Sequence, residues 1–445
     1  MDDLSKKELL NKIKNAGVVG AGGAGFPTHI KLNTKAKIII ANGIECEPLI
    51  QTDQTLISLY SKQIIQSLHI IMQITQANKG IIALKKKYSS SIKAIENEIN
   101  EFDHIELKLV DDYYPMGDEQ TLIYNTLNKV IPEGSIPGNY GIIVQNICTL
   151  FNIYQAFNNI PVTEKYITIT GEVEKPQIIK TIIGTPIIEI LKKIHLETEE
   201  YAIIANGPIM GNIIDPKYTT VTKTLSSLII LPKSHILIRK RSEKLKKSIK
   251  LAKSLCIQCN DCTTKCPRNA LGHQIKPNIL MKKISFGDDF IDDNFTDAYL
   301  CCECGICSYY ACPMELKPHE VIKHIKQILF QKSLKIKSNP MNSKISHFYK
   351  NRLIPSENII RKLNLLKYYQ KSVSINNSII IPNKVKIFLQ QHKGSLAKPI
   401  VKEGAFIKKD QLIADIKANK LGAKIHSPIS GKVIRVSKIY IEIEK

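Results

Sequence analysis

Short aliphatic runs alternate with helix-like patterns along the first third of the chain. The runs Lys37–Ala41, Gly80–Leu84 and Gly141–Gln145 are typical of buried strands, and amphipathic stretches separate them. Strands that alternate with helices predict an α/β layer over residues 1–160. The chain starts with MDDLSKKELLNKIKN, which mixes charged and aliphatic positions, so we expect a short amphipathic helix and no apolar leader.

The hydrophobic pattern changes after residue 160. Short β-rich pieces over 162–240, such as YITITGEV and YAIIANGPIMG, predict a small β-grasp (SLBB-like) domain. A helical, cysteine-rich domain is predicted at 245–332, and the Lys/Ser/Asn-rich residues 333–376 predict a helical linker with poor core potential. Residues 379–445 resemble a barrel-sandwich hybrid of the biotinyl/lipoyl type. The predicted fold class is therefore multidomain α/β and α+β.

The length and charge of the chain indicate how many domains it has and which partners it binds. A chain of 445 residues exceeds what one core supports, and it contains no run of ~20 apolar residues that would suggest a transmembrane span. The formal charge of +23 is almost all Lys, spread along the chain. Because no element concentrates Arg and aromatic residues, we expect no nucleic acid partner. A solvated basic surface is the first interpretation; an acidic protein or an anionic lipid surface is the alternative.

Nine of the eleven cysteines lie between Cys256 and Cys312, in two tight groups. Clustered CxxC spacing in a large chain without a leader indicates metal binding in a reducing compartment, here the cytoplasm. Each group has three cysteines at two-residue intervals and a fourth that precedes a proline: Cys256, Cys259, Cys262 and Cys266, then Cys301, Cys304, Cys307 and Cys312.

This spacing predicts two [4Fe–4S] clusters. In two-cluster ferredoxins the fourth cysteine of each run binds the other cluster. One predicted ligand set is therefore Cys256, Cys259, Cys262 and Cys312, and the other is Cys266, Cys301, Cys304 and Cys307. Two zinc sites are the alternative, although structural zinc usually pairs separated CxxC knuckles. Cys302 is a second candidate beside Cys301, but only Cys301 keeps the spacing to Cys304.

A glycine-rich segment, Gly20–Gly25, satisfies GxGxxG. A dinucleotide-binding GxGxxG motif directly follows a strand and opens a helix. Here a helical pattern precedes the glycines and the strand comes after them, so the segment does not fit that motif. Backbone amides in such a turn can bind a phosphate, and Lys31 can add a positive charge. The alternative is a plain glycine turn, with Glu45 and Glu47 merely solvated.

The segments AGGAGFPTHIK and IIIANGIECEP resemble the flavin-bearing, NADH-binding subunit of respiratory complex I and the C subunit of Rnf electron-transport complexes. Tyr114–Gln120 and Val144–Thr149 extend the resemblance, whereas Ala21 and Ile44 depart from the complex I pattern. The resemblance implies Glu47 and Phe26 as catalytic residues beside NADH. It also implies an FMN site formed by Gly20, Gly22, Gly23, Gly25, Lys31, Asn42, Glu45, Gly117, Asp118, Glu119, Asn146 and Thr149.

The order of the domains, with the flavin-type motifs first and the barrel last, resembles the cobalamin reductases of propanediol-utilisation microcompartments. This implies an oxidoreductase that moves electrons from NADH through FMN and two [4Fe–4S] clusters to a low-potential acceptor, cobalamin. The alternatives are an Rnf-type or other electron-wiring subunit without turnover of its own, and a scaffold with structural clusters. The expected partners are cobalamin or a redox protein, including an adenosyltransferase or a multi-subunit reductase complex. The expected location is the cytoplasm, within a microcompartment or at the inner face of the membrane.

Overall fold

The computed structural model describes residues 5–285, 291–336 and 344–445. Residues 1–4 of the predicted first domain, 286–290 of the predicted cluster domain and 337–343 of the predicted linker lie outside the described residues. Among the helices that are described, none combines the length and the apolar character needed to cross a bilayer.

The first region contains six α-helices and five strands among its described residues. They are α1 (Lys6–Asn15), α2 (Thr28–Lys31), β1 (Ile38–Asn42), α3 (Thr52–Thr75), β2 (Lys79–Lys85), α4 (Ser89–Ile99), β3 (Ile105–Val110), β4 (Tyr113–Tyr114), α5 (Glu119–Leu127), β5 (Ile142–Asn146) and α6 (Ile147–Phe157). The predicted amphipathic helix is α1, and it begins with a capping box in which the side chains of Ser5 and Glu8 accept from each other's backbone N–H groups.

Four of these strands form a parallel sheet in the order β3-β2-β1-β5. Helices cover both faces, which is why the strands are nearly continuous apolar runs. Ile39 and Ala41 pack into a core with α3 and α6, while Ile40 packs on the opposite face with Leu122 of α5. β2 and β3 follow β1 on one side of the sheet, and β5 then pairs with β1 on the other side. The strand order therefore reverses between β1 and β5.

The second region is a sheet with one short helix against it. Its elements are β6 (Glu164–Gly171), β7 (Gln177–Ile182), α7 (Ile187–Leu191), β8 (Tyr201–Ala205), β9 (Asn212–Ile214) and β10 (Ser227–Pro232). β6 and β10 form a central parallel pair, and β7 and β8 flank them in antiparallel directions. Ile187 and Ile190 of α7 pack on the sheet in a separate core. This is the β-grasp arrangement.

Short helices dominate the cysteine-rich region. They are α8 (Ile236–Ser242), α9 (Leu245–Leu255), α10 (Asp261–Thr264), α11 (Pro267–Ala270), α12 (Pro277–Ser285) and α13 (Pro318–Gln331), with a 3-10 helix at Asp293–Leu300. Cys307–Ala311 form a π-helical turn. A π-turn accommodates one residue more than an α-turn. It therefore takes up the extra residue in the four-residue gap before Cys312.

The segment predicted as a linker is folded and contributes to a hydrophobic core. Residues 344–376 contain α14 (Tyr349–Arg352), β11 (Ile354–Pro355), α15 (Ser356–Lys362) and α16 (Leu366–Tyr369), and β12 (Ser374–Ile380) starts within them. Ile360 and Leu365 are buried in one core with Tyr114 and Cys304. The helical prediction was right, but the expectation of poor core potential was wrong, because an average over a Lys-rich segment hides the apolar face of α15. β12 pairs in parallel with β7 and extends the β-grasp sheet.

The last region consists of two small sheets packed face to face. Its strands are β13 (Lys384–Phe388), β14 (Lys398–Pro399), β15 (Phe406–Ile407), β16 (Leu412–Asp415), β17 (Ile425–His426), β18 (Gly431–Val436) and β19 (Tyr440–Glu444). The sheet orders are β13-β19-β18-β15 and β14-β16-β17. Val385, Ile413 and Ile441 are fully buried between them.

Candidate functional site

The glycine-rich segment forms a closed turn against α6. Gly25 N donates to Gly20 O (3.0 Å) and Gly20 N donates to Phe26 O (2.9 Å), so the turn closes on itself. Ala21 N donates to the Thr149 hydroxyl (2.9 Å), which fixes the turn to the first residues of α6. Gly23 and Gly25 have positive φ angles of 110° and 65°, which favour glycine. A Cβ on Gly22 would lie 3.4 Å from Asn146, so a larger side chain would crowd this surface.

Asn42 and Asn146 lie side by side where β1 and β5 end, since they are register partners in the sheet. Asn42 Nδ2 donates to Gly117 O (3.0 Å), while Asn146 Oδ1 accepts from Thr149 N (3.3 Å) as the N-cap of α6. In open α/β sheets, ligands bind outside the carboxyl ends of the strands where the strand order reverses. The candidate flavin residues lie at this edge.

Charged groups flank the same edge. Lys31 Nζ donates to Val144 O (2.6 Å) and lies 3.2 Å from Glu119 Oε1, so its ammonium stands beside β5. Asp118 is the N-cap of α5, because its Oδ2 accepts from Thr121 N (3.1 Å). The N-termini of α5 and α6 therefore meet beside the glycine turn, and helix N-termini favour anions.

Glu45 and Asp53 form a carboxylate pair behind Asn146. Asp53 N donates to Glu45 Oε1 (2.9 Å), and Asn146 Nδ2 donates to Asp53 Oδ2 (2.6 Å). Burial, together with the charge of Asp53, raises the pKa of Glu45 to about 8, and burial raises the pKa of Asp53 to about 6. Glu45 Oε2 is buried without a hydrogen-bond partner in the described residues. Sequence reasoning missed Asp53, because nothing in its spacing links it to Asn146.

The surroundings fit the phosphate and polar groups of a flavin nucleotide. The turn lies against the first residues of α6, the Lys31 ammonium lies beside β5, and a Cβ added to Gly23 would meet no described atom within 4 Å. Two further buried polar atoms, Thr28 Oγ1 and Gln120 Oε1, also lack a partner among the described residues. A bound ligand with its own donors and acceptors would satisfy such atoms.

The structure holds Glu47 in a β-grasp loop. Its Oε2 accepts from Ile209 N (2.8 Å) and its Oε1 from Met210 N (3.2 Å). The Tyr114 hydroxyl lies 3.0 Å from Glu47 Oε1 and 2.7 Å from the Cys304 carbonyl oxygen. Burial raises the pKa of Glu47 to about 7. Glu47 is thus connected to the second cysteine group, whereas Phe26 stays on the glycine turn with 37% of its side chain exposed.

The first cysteine group lines one pocket at the protein surface. Its thiols come from both sequence runs, and they are Cys256, Cys259, Cys262 and Cys312. Cys259 is exposed to solvent. Burial and the neighbouring thiols raise the pKa of Cys262 to about 12, so a thiolate there needs the positive charge of a metal. The four-thiol donor set fits an iron–sulfur cluster.

The second group is more deeply enclosed. The Cys266 thiol lies close enough to Cys301, Cys304 and Cys307 to raise the pKa of each, and Cys304 is buried in a core with Tyr114 and Ile360. Burial raises the pKa of Cys266 to about 11. Cys302 lies in the same group, where the neighbouring Cys304 thiol and the Arg268 guanidinium lower the pKa of its thiol. The structure therefore places both Cys301 and Cys302 at this site.

Arg268 connects the second cysteine group with the candidate flavin edge. It follows Cys266 and Pro267, and its Nη2 donates to Asp118 Oδ1 (2.7 Å), with each side chain 12% exposed. Sequence reasoning missed this residue. The chain contains only six arginines among 63 basic residues. An arginine beside a cysteine motif in such a Lys-rich chain was the available indication of a specific ion pair.

The comparisons with known proteins agree with this geometry. Residues 13–155 match the family model of the Nuo51 FMN-binding domain, residues 255–317 a 4Fe-4S dicluster domain, and residues 363–445 the RnfC barrel sandwich hybrid domain. The predicted multidomain fold, FMN and two [4Fe–4S] clusters are thereby confirmed. The chain is an iron–sulfur flavoprotein oxidoreductase.

Two relatives match the chain over nearly its whole length. Cobalamin reductase PduS of Salmonella typhimurium is 33% identical over 442 residues, which are 99% of this chain and 97% of that protein. PduS of Citrobacter freundii is 33% identical over 437 residues, 98% of this chain and 96% of that protein. The C subunit of the ion-translocating oxidoreductase complex of Haemophilus influenzae is 31% identical over 278 residues, 61% of this chain and 33% of that protein. Since the match to the PduS proteins includes all the regions described above, the chain belongs to the cobalamin reductase family.

Proposed function

We propose that this chain oxidises NADH and delivers electrons one at a time to cobalamin. The observation that carries the proposal is the match to cobalamin reductases along 99% of the chain. Bound FMN accepts a hydride as two electrons and releases them singly, as [4Fe–4S] clusters require. The resemblance and the edge geometry support the flavin residues named above as the FMN site, with Phe26 beside the nicotinamide.

The chain's own residues suggest the direction of electron flow. Arg268 connects Asp118 with Cys302, and Tyr114 connects Glu47 with the Cys304 carbonyl, so the second cysteine group lies against the flavin region. The first group includes the exposed Cys259. We propose that electrons enter at the cluster of Cys266, Cys301, Cys304 and Cys307. They would leave from the cluster of Cys256, Cys259, Cys262 and Cys312.

The test is anaerobic absorbance spectroscopy of the purified protein. NADH should bleach both the flavin and the cluster bands, and aquacobalamin should then restore them while its own spectrum shifts to that of the reduced form. Bleaching by NADH without reoxidation by cobalamin would exclude cobalamin as the direct acceptor. Flavin and cluster bands that NADH leaves unchanged would refute NADH as the donor.

The alternative function is an electron-wiring subunit without turnover of its own. The observation in its favour is the 31% identity over 278 residues to the C subunit of an ion-translocating complex. Such a protein would stay oxidised with NADH alone and become reduced only when its redox partner is added. The family resemblance supports an adenosyltransferase or a reductase complex as the partner. It also supports a location in a microcompartment or at the inner face of the membrane.

A further inference from the structure

Lys223 lies where three regions of the chain meet. It follows α7 and β9 in the β-grasp region, and its side chain is among the largest fully buried ones, with 2% of it exposed. Its Nζ donates to Gly17 O (2.6 Å), just before the glycine turn, and to Lys424 O (2.7 Å) in the barrel-sandwich region. One side chain therefore joins the first, second and last regions.

The same junction holds the other end of the glycine turn. Lys393 N donates to Gly25 O (2.9 Å), and a Cβ on Gly25 would lie 3.3 Å from both His392 Cα and Thr224 Cγ2. Gln391 completes the contact, because its Oε1 accepts from Lys223 N (2.9 Å). Lys223 therefore holds the segment before the turn, while Thr224 and the barrel-sandwich region hold its other end at Gly25.

The chemistry of the Lys223 amine suits this place. Burial lowers its pKa to about 7, and no acid among the described residues offsets that effect. The titratable and charged groups that face it are His392, His426 and Lys424. The amine donates to two backbone carbonyl oxygens, Gly17 O and Lys424 O, that come from different regions of the chain. A buried amine with matched acceptors fixes the positions of both backbones.

We infer that Lys223 is a positioning residue for FMN. It holds the glycine turn against the barrel-sandwich region, in the shape that the turn presents to the flavin phosphate. The barrel-sandwich region thereby contributes to the flavin site through Lys223 and Gln391, without supplying a ligand atom itself. This inference rests on the proposed FMN site at the glycine turn.

The experiment compares FMN affinity with iron content in a set of variants. Lys223→Met keeps the length of the side chain but leaves two buried carbonyls unpaired, so FMN should bind about tenfold or more weakly. Lys223→Arg keeps the donors and should bind FMN more tightly than Lys223→Met. Lys317→Met is the matched control, because Lys317 is also buried but pairs with Glu243 in the cysteine-rich region. It should leave the FMN affinity unchanged.

FMN affinity is measured by quenching of flavin fluorescence on protein depleted of flavin, and iron is counted on the same samples. Weak FMN binding in Lys223→Met at unchanged iron content supports the proposal. Affinity within twofold of the wild type, or no recovery in Lys223→Arg, overturns it. Should Lys223→Met not fold, Gln391→Leu decides by the same criterion. A wild type that binds FMN but does not reduce cobalamin would refute the proposed acceptor and leave the role of Lys223 standing.

Discussion

Arg268 and Asp118 form an almost fully enclosed ion pair with 2.7 Å between Nη2 and Oδ1. The two residues are 150 positions apart, and each has a second role beside the pair. Asp118 caps α5 at the candidate flavin edge, and Arg268 contacts Cys302 in the second cysteine group. The pair therefore joins the candidate flavin edge to the second cysteine group.

Arg268→Gln should uncouple the flavin from the clusters. Loss of one partner leaves the other charge buried and costs about 3–5 kcal/mol of stability. We expect NADH to bleach the flavin band at the wild-type rate while the cluster band lags behind, as measured by stopped-flow absorbance. Arg361→Gln is the control, since its pair with Glu357 is exposed and contributes only about 0.3–0.5 kcal/mol. Equal rates at both bands in Arg268→Gln would contradict the role of the pair.

Cys259→Ser should remove one of two clusters. Wild-type protein should contain about eight iron and eight sulfide per chain, and the variant about four, because the thiolate closes the first ligand set. Cys148→Ser serves as control, since Cys148 is buried in the α6 core and should leave iron unchanged. Iron and sulfide analysis after reconstitution is the measurement. A wild-type value near four would show that the chain carries a single cluster.

Cys301→Ser and Cys302→Ser distinguish the two adjacent thiols. The spacing to Cys304 favours Cys301 as the ligand, although Cys304 and Arg268 lower the pKa of the Cys302 thiol. We expect iron to fall by half in Cys301→Ser and to stay at the wild-type level in Cys302→Ser. The reverse result would make Cys302 the ligand and would give Arg268 a direct contact with a cluster sulfur.

Gly22→Val should abolish flavin binding and leave both clusters in place. A Cβ at this position would already lie 3.4 Å from Asn146, so the added methyl groups would enter the space beside the turn. Gly138→Val is the matched control, because a Cβ there meets no described atom within 4 Å. Flavin released on denaturation and cluster absorbance are measured for both. Full flavin content in Gly22→Val would place the flavin elsewhere.

The Glu45–Asp53 pair should make stability fall as the pH rises. Both folded-state pKa values are raised, to about 8 and about 6, so the folded chain binds more protons than the unfolded chain above their ordinary values near 4. This contribution is fully present at acidic pH and is lost as the pH rises through 6 and then 8. Glu45→Gln should flatten the pH dependence of the melting temperature in this window. Asp111→Asn, at an exposed ion pair, should not. If the melting temperature of Glu45→Gln depends on pH as that of the wild type does, the Glu45–Asp53 pair does not control the pH dependence.

Local patterns predicted the elements better than the contacts between regions. The apolar runs located β1, β2 and β5. Motif resemblance predicts Glu47 beside the nucleotide, and that role stays a prediction. No motif shows that Ile209 N and Met210 N, far along the chain, donate to its carboxylate. Contacts of this kind depend on how folded regions dock, and no local pattern encodes them. Lys223 was missed for the same reason.

The return of β12 to the β-grasp sheet has a kinetic consequence. The chain leaves that sheet after Pro232, builds the whole cysteine-rich region, and rejoins the sheet at Ser374. The iron-bearing part is therefore fastened at both ends to one rigid support and cannot act as a swinging arm that shuttles between donor and acceptor. Electron transfer from flavin to cluster should then proceed by tunnelling over a fixed distance, and its rate should not depend on solvent viscosity.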